Sequence, residues 1–465
     1  MEKIRQTLRD HAWARWTALA VVAFTMLTGY YLTDVMAPLK GLLEQQLSWD
    51  SSEYGLFTSA YGWFNVFLFM LIIGGIILDK MGVRFTGLMA ATIMVIGTTI
   101  KFWAVSTHML DGHIWNILWL FPIKAQVFMA ALGYAIFGVG VEVAGITVSK
   151  IIVKWFKGKE LALAMGLEMA TARLGTALAL ATSVPLAKAF GHVSKPILFC
   201  LILLVIGLIA FFIYTFMDKK LDASQAEYDK QNNITNDEEA FKISDILTII
   251  TNKGWWYIAI LCVLFYSAVF PFLKYAADLM VNKFGVDESL AGTIPAMLPF
   301  GTILLTPLFG NIYDRKGKGA TIMLIGSLLL IFVHTMFSIP FLNHWIIAII
   351  LIIILGIGFS LVPSAMWPSV PKIIPENQLG TAYSLIFWVQ NWGLMGVPAL
   401  IGWVLDKYCI TGQKVVEGVT VNTYNYTLPM IIFTSLGVLA LVFGLLLKAE
   451  DKKKGYGLEL PNIQK

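Results

Sequence analysis

The sequence predicts an all-α integral membrane protein of twelve transmembrane helices, arranged as two six-helix bundles with pseudo-two-fold symmetry. Three observations predict it: the composition is strongly apolar, apolar segments of membrane-spanning length recur, and one polar turn occurs in both halves. Hydrophobic residues make up 58% of the chain and charged residues 14%, with a mean hydropathy of +0.74. This composition leaves too little polar surface to cover a soluble globule.

Apolar segments occur from one end of the chain to the other. An α-helix rises 1.5 Å per residue and satisfies its own backbone hydrogen bonds, so ~20 apolar residues cross the ~30 Å hydrocarbon core of a bilayer. The pattern predicts twelve such helices. Their predicted ranges are 16–38, 54–78, 86–107, 125–152, 161–187, 196–217, 254–280, 289–311, 320–340, 345–367, 379–405 and 427–448.

Basic residues are distributed unequally between the two sides of these spans. The side that carries both chain termini holds 23 Lys and Arg residues, counting Lys448 at the very end of the twelfth span, and the opposite loops hold 7. The other four of the 34 lie within spans, at Lys101, Lys150, Arg173 and Lys274. Because cytoplasmic loops are enriched in Lys and Arg, we expect both termini and the central linker in the cytoplasm.

One long charged segment divides the chain into two halves. Residues 218–253 contain no glycine and follow the sixth span. We expect them to form a cytoplasmic linker between an N-terminal bundle, residues 1–217, and a C-terminal bundle, residues 254–448. A cytoplasmic tail, residues 449–465, follows.

A polar turn repeats at matching positions in the two halves. The sequence GGIILDKMGVRF (74–85) follows the second span, and GNIYDRKGKGA (310–320) follows the eighth. Such residues also make good polar turns without any further role. Their recurrence at matching positions favours an internal repeat, as in transporters built from two bundles around a central site.

The first turn carries a family resemblance, and the residues that carry it are Asp79, Lys80, Gly82 and Arg84. They resemble the signature loop of the major facilitator superfamily, which gates the cytoplasmic side of its transporters. The resemblance implies the major facilitator fold, transport by alternating access, and gating roles for these four residues. In the second turn it implies the same role for Asp314 and Arg315.

Three longer segments carry a narrower resemblance. They are KWFKGKELALAMGLEMATARLG (154–175), YSAVFPFLKYAADLMVNKFG (266–285) and WPSVPKIIPENQLGTAYSLIFWVQNWGL (367–394). These segments resemble the branch of the superfamily that contains the lysosomal dipeptide uniporter. The resemblance implies transport of short peptides with free ends, without obligatory ion coupling and without a cofactor. Nothing in the sequence resembles a lysosomal sorting signal, so we expect a bacterial plasma membrane.

Two charged residues of the N-terminal half lie deep within predicted spans. Glu142 is in the fourth span and Arg173 in the fifth, and the turn between these spans is centred between Lys157 and Gly158. Both residues are equally far from this turn, so an antiparallel hairpin puts them at the same depth, ~20 Å from its end. An ionised side chain at mid-bilayer is costly, which makes both residues candidates for a functional site.

This pair has two interpretations. The side chains form a structural ion pair between two helices, or they bind a guest that carries charges of both signs. A peptide zwitterion carries an ammonium and a carboxylate, and arginine offers a planar fork to a carboxylate. The family that the sequence resembles uses an acid and an arginine at these motif positions. We therefore predict that Glu142 binds the amino end and Arg173 the carboxyl end of a dipeptide or similar zwitterion.

Other polar side chains deep in the spans are further candidates. Gln390, Asn391 and Trp388 lie in the eleventh span and Tyr61 in the second, and we predict that they contribute to substrate binding. Amides at this depth bond across helices or face a cavity. Glu168 lies on a different face of the fifth span from its arginine, and either braces a neighbouring helix or accepts a proton.

The remaining charged residues in the spans have interpretations outside the substrate site. Asp34, Lys274 and Asp278 are expected at an external gate, or the last two as a local pair one helical turn apart. Lys101 and Lys150 lie near span ends, where long side chains are expected to reach the membrane interface.

The residues leave other functions open. The same fold serves proton-coupled symporters and organic-anion or sugar exchangers, and also a non-transporting receptor or scaffold. An enzyme is not expected, because the sequence offers no nucleophile and base pair, metal cluster or phosphate-binding loop. Nucleic acid is not an expected partner, since the basic excess belongs to loops that face an anionic leaflet. We expect a monomer in the lipid bilayer with a small-molecule substrate and no cofactor.

Overall fold

In a computed structural model the protein is a bundle of helices with two short β-hairpins at one end. The structure describes residues 8–117, 121–156, 160–232, 243–375, 378–416 and 418–462. The helices of the N-terminal half are α1 (Ala12–Asp34), α2 (Lys40–Leu47), α3 (Ser51–Ser59), α4 (Trp63–Phe67), α5 (Met70–Ser106), α6 (Ala125–Phe156), α7 (Leu161–Ala189) and α8 (Ser194–Asn232). Those of the C-terminal half are α9 (Ile243–Ile250), α10 (Lys253–Ser267), α11 (Phe270–Phe284), α12 (Glu288–Ala291), α13 (Thr293–Lys316), α14 (Gly319–Ser338), α15 (Trp345–Ser369), α16 (Leu379–Tyr408) and α17 (Thr427–Lys454). The turn at 157–159 and the segment 233–242 of the predicted linker lie outside the described residues.

These helices account for the twelve predicted spans. Eleven helical segments of the described chain are long and apolar enough to cross a membrane. One of them, α5, has 37 residues, which correspond to ~55 Å and exceed the ~30 Å hydrocarbon core. Gly82 interrupts α5 with φ 76° and ψ 173°, a conformation that is essentially restricted to glycine. The part of α5 before Gly82 completes the second span and the part after it is the third, which gives twelve.

The second span is not the continuous helix that the sequence predicts for residues 54–78. It consists of α3, α4 and the first part of α5, and Phe69 before α5 has left-handed dihedral angles. Its start is fixed by a capping box: Glu53 N donates to the Asp50 carboxylate at 2.7 Å, and Asp50 N donates to the Glu53 carboxylate at 3.0 Å. The span therefore begins at a defined point and changes direction inside the bundle.

The sixth span is longer than predicted. Helix α8 continues to Asn232, into the segment that the sequence assigns to the linker. Arg84 Nη1 pairs with Asp222 Oδ2 at 2.7 Å, and Lys154 Nζ pairs with Asp218 Oδ2 at 2.8 Å. These ion pairs hold the start of the predicted linker against the N-terminal half.

Two antiparallel hairpins lie in loops at the same end of the bundle. Strands β1 (Ile114–Ile117) and β2 (Phe121–Lys124) lie in the segment that joins α5 to α6. Strands β3 (Ile410–Val416) and β4 (Val419–Tyr424) join α16 to α17. We call this end the hairpin face, and the opposite end, which carries the chain termini, the terminal face.

The two halves approach closely where α3 crosses α16 near the hairpin face. A Cβ atom on Gly55 would lie 2.9 Å from Gly402 Cα, which leaves room there only for a hydrogen atom. The Tyr54 and Tyr275 rings pack edge to face with 5.4 Å between their centroids, and the Tyr54 hydroxyl donates to the Lys274 carbonyl at 2.8 Å. Small residues allow helices to pack this closely, and the contact positions the cavity described next.

Candidate functional site

A cavity lies between the two halves, beside the contact of α3 with α16. It contains about 630 Å³ of empty space, including space that is open to solvent. The N-terminal half lines the cavity with Tyr30, Thr33, Asp34, Thr58, Tyr61, Tyr134 and Glu142. The C-terminal half lines it with Phe270, Pro271, Lys274, Gln390, Leu394 and Pro398.

Of the two predicted charged ligands, Glu142 lines this cavity. Its side chain is half-buried, and its carboxylate accepts a hydrogen bond from the Tyr61 hydroxyl at 2.7 Å. Asn391 lies beside the same carboxylate. Within the described part of the chain, no basic side chain forms an ion pair with Glu142. Its carboxylate is therefore oriented by a neutral donor and remains free to bind a cationic group.

Arg173 lies next to the cavity and is not part of its lining. Its guanidinium carbon is 5.2 Å from the ring centroid of Phe359, which belongs to the C-terminal half. Among the described residues it has no carboxylate at ion-pair distance and no hydrogen-bond acceptor. The Tyr30 side chain lines the cavity, and its hydroxyl lies within electrostatic range of both Arg173 and Glu142. The two predicted ligands are thus brought to one region without neutralising each other.

The uncharged candidates have three different positions. Tyr61 and Gln390 line the cavity. Asn391 is buried and donates to a carbonyl of its own helix at 2.9 Å. Trp388 is not among the lining residues, because its indole N–H donates across the halves to the Val66 carbonyl at 3.1 Å. The binding roles of these side chains stay a prediction.

An ion pair between the halves closes the cavity towards the hairpin face. Lys274 Nζ donates to Asp34 Oδ1 at 2.6 Å and also to the Thr33 carbonyl. The Thr176 hydroxyl donates to the other Asp34 oxygen at 2.7 Å. Asp34 is 4% exposed and Lys274 8%. The pair joins α1 to α11, so it is a contact of the kind expected at an external gate.

A second layer of ion pairs lies closer to the hairpin face. Lys40 Nζ is 3.1 Å from Asp278 Oδ2, and Lys188 Nζ is 3.0 Å from Glu288 Oε2. Both pairs join the N-terminal half to the C-terminal half. The alternative interpretation, a local pair between Lys274 and Asp278, is wrong, because each of these residues has a partner in the other half.

The expectation that Lys101 reaches the membrane interface is wrong. Its side chain is 1% exposed, and its ammonium lies 4.5 Å from the ring centroid of Tyr134 and 5.2 Å from that of Phe57. No described residue accepts a hydrogen bond from it. The physical reason is orientation: the residue faces α3 and α6 inside the bundle, where its chain cannot extend to water. Lys150 instead pairs with Asp79 at 2.9 Å near the terminal face.

The predicted gating residues lie at the terminal face. Arg84 pairs with Asp222 in the N-terminal half, and the Asn462 side chain donates to Asp314 at 2.7 Å in the C-terminal half. Among the described residues, each ion pair at this face joins two residues of the same half. Lys80 and Arg315, by contrast, are exposed. The residues whose gating role stays a prediction are Asp79, Lys80, Gly82, Arg84, Asp314 and Arg315.

Two tyrosines of the site were missed by sequence reasoning. Tyr30 lies within electrostatic range of both Glu142 and Arg173, as described above, and the Tyr134 hydroxyl donates to the Thr33 carbonyl at 2.7 Å. The Tyr134 ring centroid is also within 6.0 Å of the ammonium groups of Lys101 and Lys274. Aromatic residues make up 13% of the chain and are common at membrane interfaces, so the sequence offers no signal that separates these two from the rest.

Comparisons with known proteins identify a family. The model of the Major Facilitator Superfamily matches residues 19–398. The lysosomal dipeptide transporter MFSD1 of Bos taurus is 27% identical over 408 residues, which cover 85% of this chain and 81% of that protein. The lysosomal dipeptide transporter MFSD1 of Gallus gallus is 30% identical over 305 residues, which cover 63% of this chain and 64% of that protein.

Solved structures with a similar fold are transporters. A D-xylose-proton symporter has a TM-score of 0.68 at 14% identity and covers 92% of this chain and 97% of its own. A bacterial homologue of the human lysosomal transporter Spinster, in an inward-facing and occupied conformation, has a TM-score of 0.68 at 14% identity, with coverages of 95% and 98%. The nucleoside transporter NupG has a TM-score of 0.63 at 14% identity, with coverages of 93% and 98%. At this identity the similarity concerns the fold alone.

Proposed function

Because the chain belongs to the major facilitator superfamily, we propose that this multi-pass membrane transporter carries dipeptides or similar small zwitterions by alternating access, without obligatory coupling to an ion. The observation that carries the proposal is that Glu142 and Arg173 lack ionic partners among the described residues. They are opposite charges beside one cavity, and neither has an ionic partner among the described residues. An ion without a partner is costly away from water. A guest with one positive and one negative end removes both costs at once.

Each end of a dipeptide has a group to bind. The Glu142 carboxylate, oriented by the Tyr61 hydroxyl, accepts from the peptide ammonium. The Arg173 guanidinium offers two parallel donors to the peptide carboxylate. Gln390, on the opposite side of the cavity, has an amide that suits the peptide bond between the two ends.

Sequence relatives support this choice of substrate class. The proteins that match 84 to 85% of the chain at 27 to 28% identity are named lysosomal dipeptide transporters. At that identity the name alone does not transfer a substrate. The unpaired acid and arginine are an independent observation that favours the same class of guest.

Alternating access assigns roles to the two faces. In the proposed cycle, the pairs Asp34–Lys274 and Lys40–Asp278 separate when the halves rock and open the hairpin face. The polar turns at 79–84 and 314–315 then form the opposite gate. Among the described residues, the ion pairs that join the halves lie at the hairpin face, which fits a conformation that is closed at that face.

We propose that the terminal face is cytoplasmic, which is supported by its 23 Lys and Arg residues against 7 in the opposite loops. A protease-sensitive tag at the C-terminus tests this: it should be cleaved in inside-out vesicles and protected in right-side-out ones. The membrane itself stays a prediction, since the sequence favours a bacterial plasma membrane and the relatives are named lysosomal.

Uptake of labelled Ala-Ala into proteoliposomes tests the proposed function. We expect saturable uptake in the wild type and a loss of at least ~10-fold in both Glu142→Gln and Arg173→Lys. Gln removes the charge that pairs with the peptide ammonium, and Lys keeps its charge but lacks one of the two parallel donors to the carboxylate. A hydrogen bond to a charged group is worth ~1.5–3 kcal/mol. Matched controls are Glu450→Gln and Arg9→Lys, which make the same changes at residues far from the cavity. Unchanged uptake by Arg173→Lys would remove Arg173 from the site.

The same assay separates the rival functions. Strict dependence of uptake on a pH gradient would favour a proton symporter over a uniporter. Stabilisation of the protein by a solute without any flux would favour a receptor on the same fold.

A further inference from the structure

One buried lysine of the N-terminal half has no role in the proposed function. Lys101 lies on α5 and is 1% exposed, with its ammonium 4.5 Å from the ring centroid of Tyr134 and 5.2 Å from that of Phe57. Among the described residues this ammonium has no hydrogen-bond acceptor and no carboxylate at ion-pair distance. An ion held in this way is costly. The closed conformation therefore carries a free-energy cost that the contacts of Lys101 do not offset.

Two charged groups of the gate at the hairpin face lie within electrostatic range of Lys101. They are Asp34, which attracts its ammonium, and Lys274, which repels it. The two lysines also share an aromatic neighbour, because the ring centroid of Tyr134 is 4.5 Å from the Lys101 ammonium and 6.0 Å from the Lys274 ammonium. In the closed conformation Lys274 pairs with Asp34 at 2.6 Å. Lys101 thus lies near a carboxylate that another cation already neutralises.

The two cations near Asp34 belong to different halves. Asp34 on α1, Lys101 on α5 and Tyr134 on α6 are in the N-terminal half, whereas Lys274 is on α11 in the C-terminal half. In the proposed cycle the halves rock as units. Lys274 then leaves Asp34 when the hairpin face opens, while Lys101 and Tyr134 stay with it. The departure of Lys274 also removes the like charge that repels Lys101.

We propose that Lys101 is a positioning residue of the transport cycle, which replaces Lys274 as the cation beside Asp34 when the hairpin face opens. The inference rests on the alternating-access part of the proposed function. The ring of Tyr134 stabilises the Lys101 ammonium in the closed conformation, and the flexible four-carbon stem of lysine lets it turn towards the vacated carboxylate. The Thr176 hydroxyl, which donates to Asp34 at 2.7 Å, belongs to the same half and keeps that carboxylate oriented.

Such an exchange brings the free energies of the two conformations closer together. Opening the hairpin face breaks the pair between Asp34 and Lys274, which leaves Asp34 without a compensating charge. A new pair with Lys101 offsets this cost, and it gives the Lys101 ammonium the acceptor that it lacks in the closed conformation. Alternating access requires that both conformations are populated. A residue that is unfavourable in one conformation and favourable in the other meets this requirement.

The labelling rate of a cysteine at Thr58, which lines the cavity, tests the proposal. A membrane-impermeant thiol reagent is applied at the hairpin face of the full-length protein in vesicles; the three native cysteines are buried. The rate follows the population of the hairpin-open conformation. We expect Lys101→Met to lower it ~10-fold, as for one hydrogen bond between charged groups that only this conformation forms. The matched control Lys283→Met removes a lysine of α11 that donates to backbone carbonyls of its own half, and should leave the rate unchanged.

Two gate variants separate an effect that acts through Asp34 from a purely structural one. Lys274→Met and Asp34→Asn both break the pair of the closed gate, and we expect both to raise the labelling rate. Only Lys274→Met keeps the carboxylate of Asp34. Adding Lys101→Met should therefore lower the rate ~10-fold in Lys274→Met and leave it unchanged in Asp34→Asn. An equal effect of Lys101→Met in both backgrounds, or no effect in the wild type, would overturn the exchange.

A second neutral variant covers the case in which Lys101→Met does not fold. Lys101→Gln also lacks the charge, so it should lower the labelling rate in the same way, and only where Asp34 is present. Because the assay measures opening of the gate, its failure differs from that of the proposed function. A rate that neither variant changes, together with saturable Ala-Ala uptake, would overturn the exchange and leave dipeptide transport standing. A cysteine at Thr58 that reacts in none of the variants would overturn alternating access together with it.

Discussion

The ammonium groups of Lys101 and Lys274 both lie near the Tyr134 ring, but they differ in whether a carboxylate lies beside them. Lys274 pairs with Asp34 at 2.6 Å, whereas Lys101 has only the rings of Tyr134 and Phe57 as close neighbours among the described residues. A cation over an aromatic ring gains ~0.5–2 kcal/mol, which is less than the several kcal/mol that an ion loses on leaving water. At the residue scale, the burial of Lys101 therefore lowers the free energy of unfolding.

Replacing each lysine by Met, which has a similar length, should change stability in opposite directions. We expect Lys101→Met to raise the midpoint of thermal unfolding, because it removes an ion without an acceptor. Lys274→Met should lower it, because Asp34 would remain as a buried carboxylate without a cation, a loss of ~3–5 kcal/mol. Thermal unfolding of the purified variants in one detergent measures both. A lower midpoint for Lys101→Met would show that its ammonium has an ionic partner in the folded protein.

At the scale of elements, the turn between the second and third spans depends on one glycine. Gly82 has φ 76° and ψ 173°, where any Cβ atom causes strain. Gly75 lies in the same helix with helical dihedral angles, and a Cβ atom there would meet no other atom within 4 Å. Both glycines can be replaced by alanine, but only Gly82 has backbone dihedral angles that strain an alanine.

Gly82→Ala should therefore destabilise the protein and Gly75→Ala should not. We expect a loss of ~1–3 kcal/mol for Gly82→Ala from backbone strain. Gly75→Ala should be neutral or slightly stabilising, since alanine favours the helix by up to ~1 kcal/mol. The midpoints of thermal unfolding of the two variants measure the difference. Equal midpoints would mean that the turn relaxes without cost.

At the scale of the whole molecule, the ion pairs between the halves are concentrated at the hairpin face. The pairs Asp34–Lys274, Lys40–Asp278 and Lys188–Glu288 join the halves there, and those of the described residues at the terminal face stay within one half. Truncating one partner of a buried pair leaves the other charge uncompensated. The free energy of the closed hairpin face should therefore rise when either of the two buried pairs, Asp34–Lys274 or Lys40–Asp278, is broken.

Access of a thiol reagent to the cavity measures this effect. A cysteine at Thr58, which lines the cavity, is labelled with a membrane-impermeant reagent applied at the hairpin face. We expect Asp278→Asn to increase the labelling rate at least ~10-fold, because breaking a buried pair shifts the equilibrium by several kcal/mol. The control is Glu53→Gln, since Glu53 pairs with Lys124 at 2.8 Å at the same face but within one half. Equal rates in the two variants would mean that Lys40–Asp278 does not hold the gate.

Much of the fold could be predicted from the sequence, because lipid imposes a strong one-dimensional constraint. A span needs ~20 apolar residues, and this requirement is visible without any contact between residues. The number of spans and the two-bundle architecture follow from it. The break at Phe69 and the helical extension to Asn232 do not, because they depend on neighbours: the ion pairs of Asp218 and Asp222 with basic residues of other helices compensate the cost of continuing a polar helix.

The candidate site could be predicted only in part. Glu142 and Arg173 stand out in the sequence because an ion inside a membrane is costly and needs a reason. The sequence by itself therefore determined the fold class and the two charged residues that deserve a functional hypothesis. Only the tertiary structure decided that these residues do not form an ion pair with each other, that Tyr30 lines the cavity near both of them, that Lys101 is buried and that Asp34 meets Lys274. The physical reason is that the free-energy cost of a charge in the membrane depends on its depth, which its position in a span predicts. Which residue it contacts depends instead on the direction in which each side chain leaves its helix and on how the two halves pack.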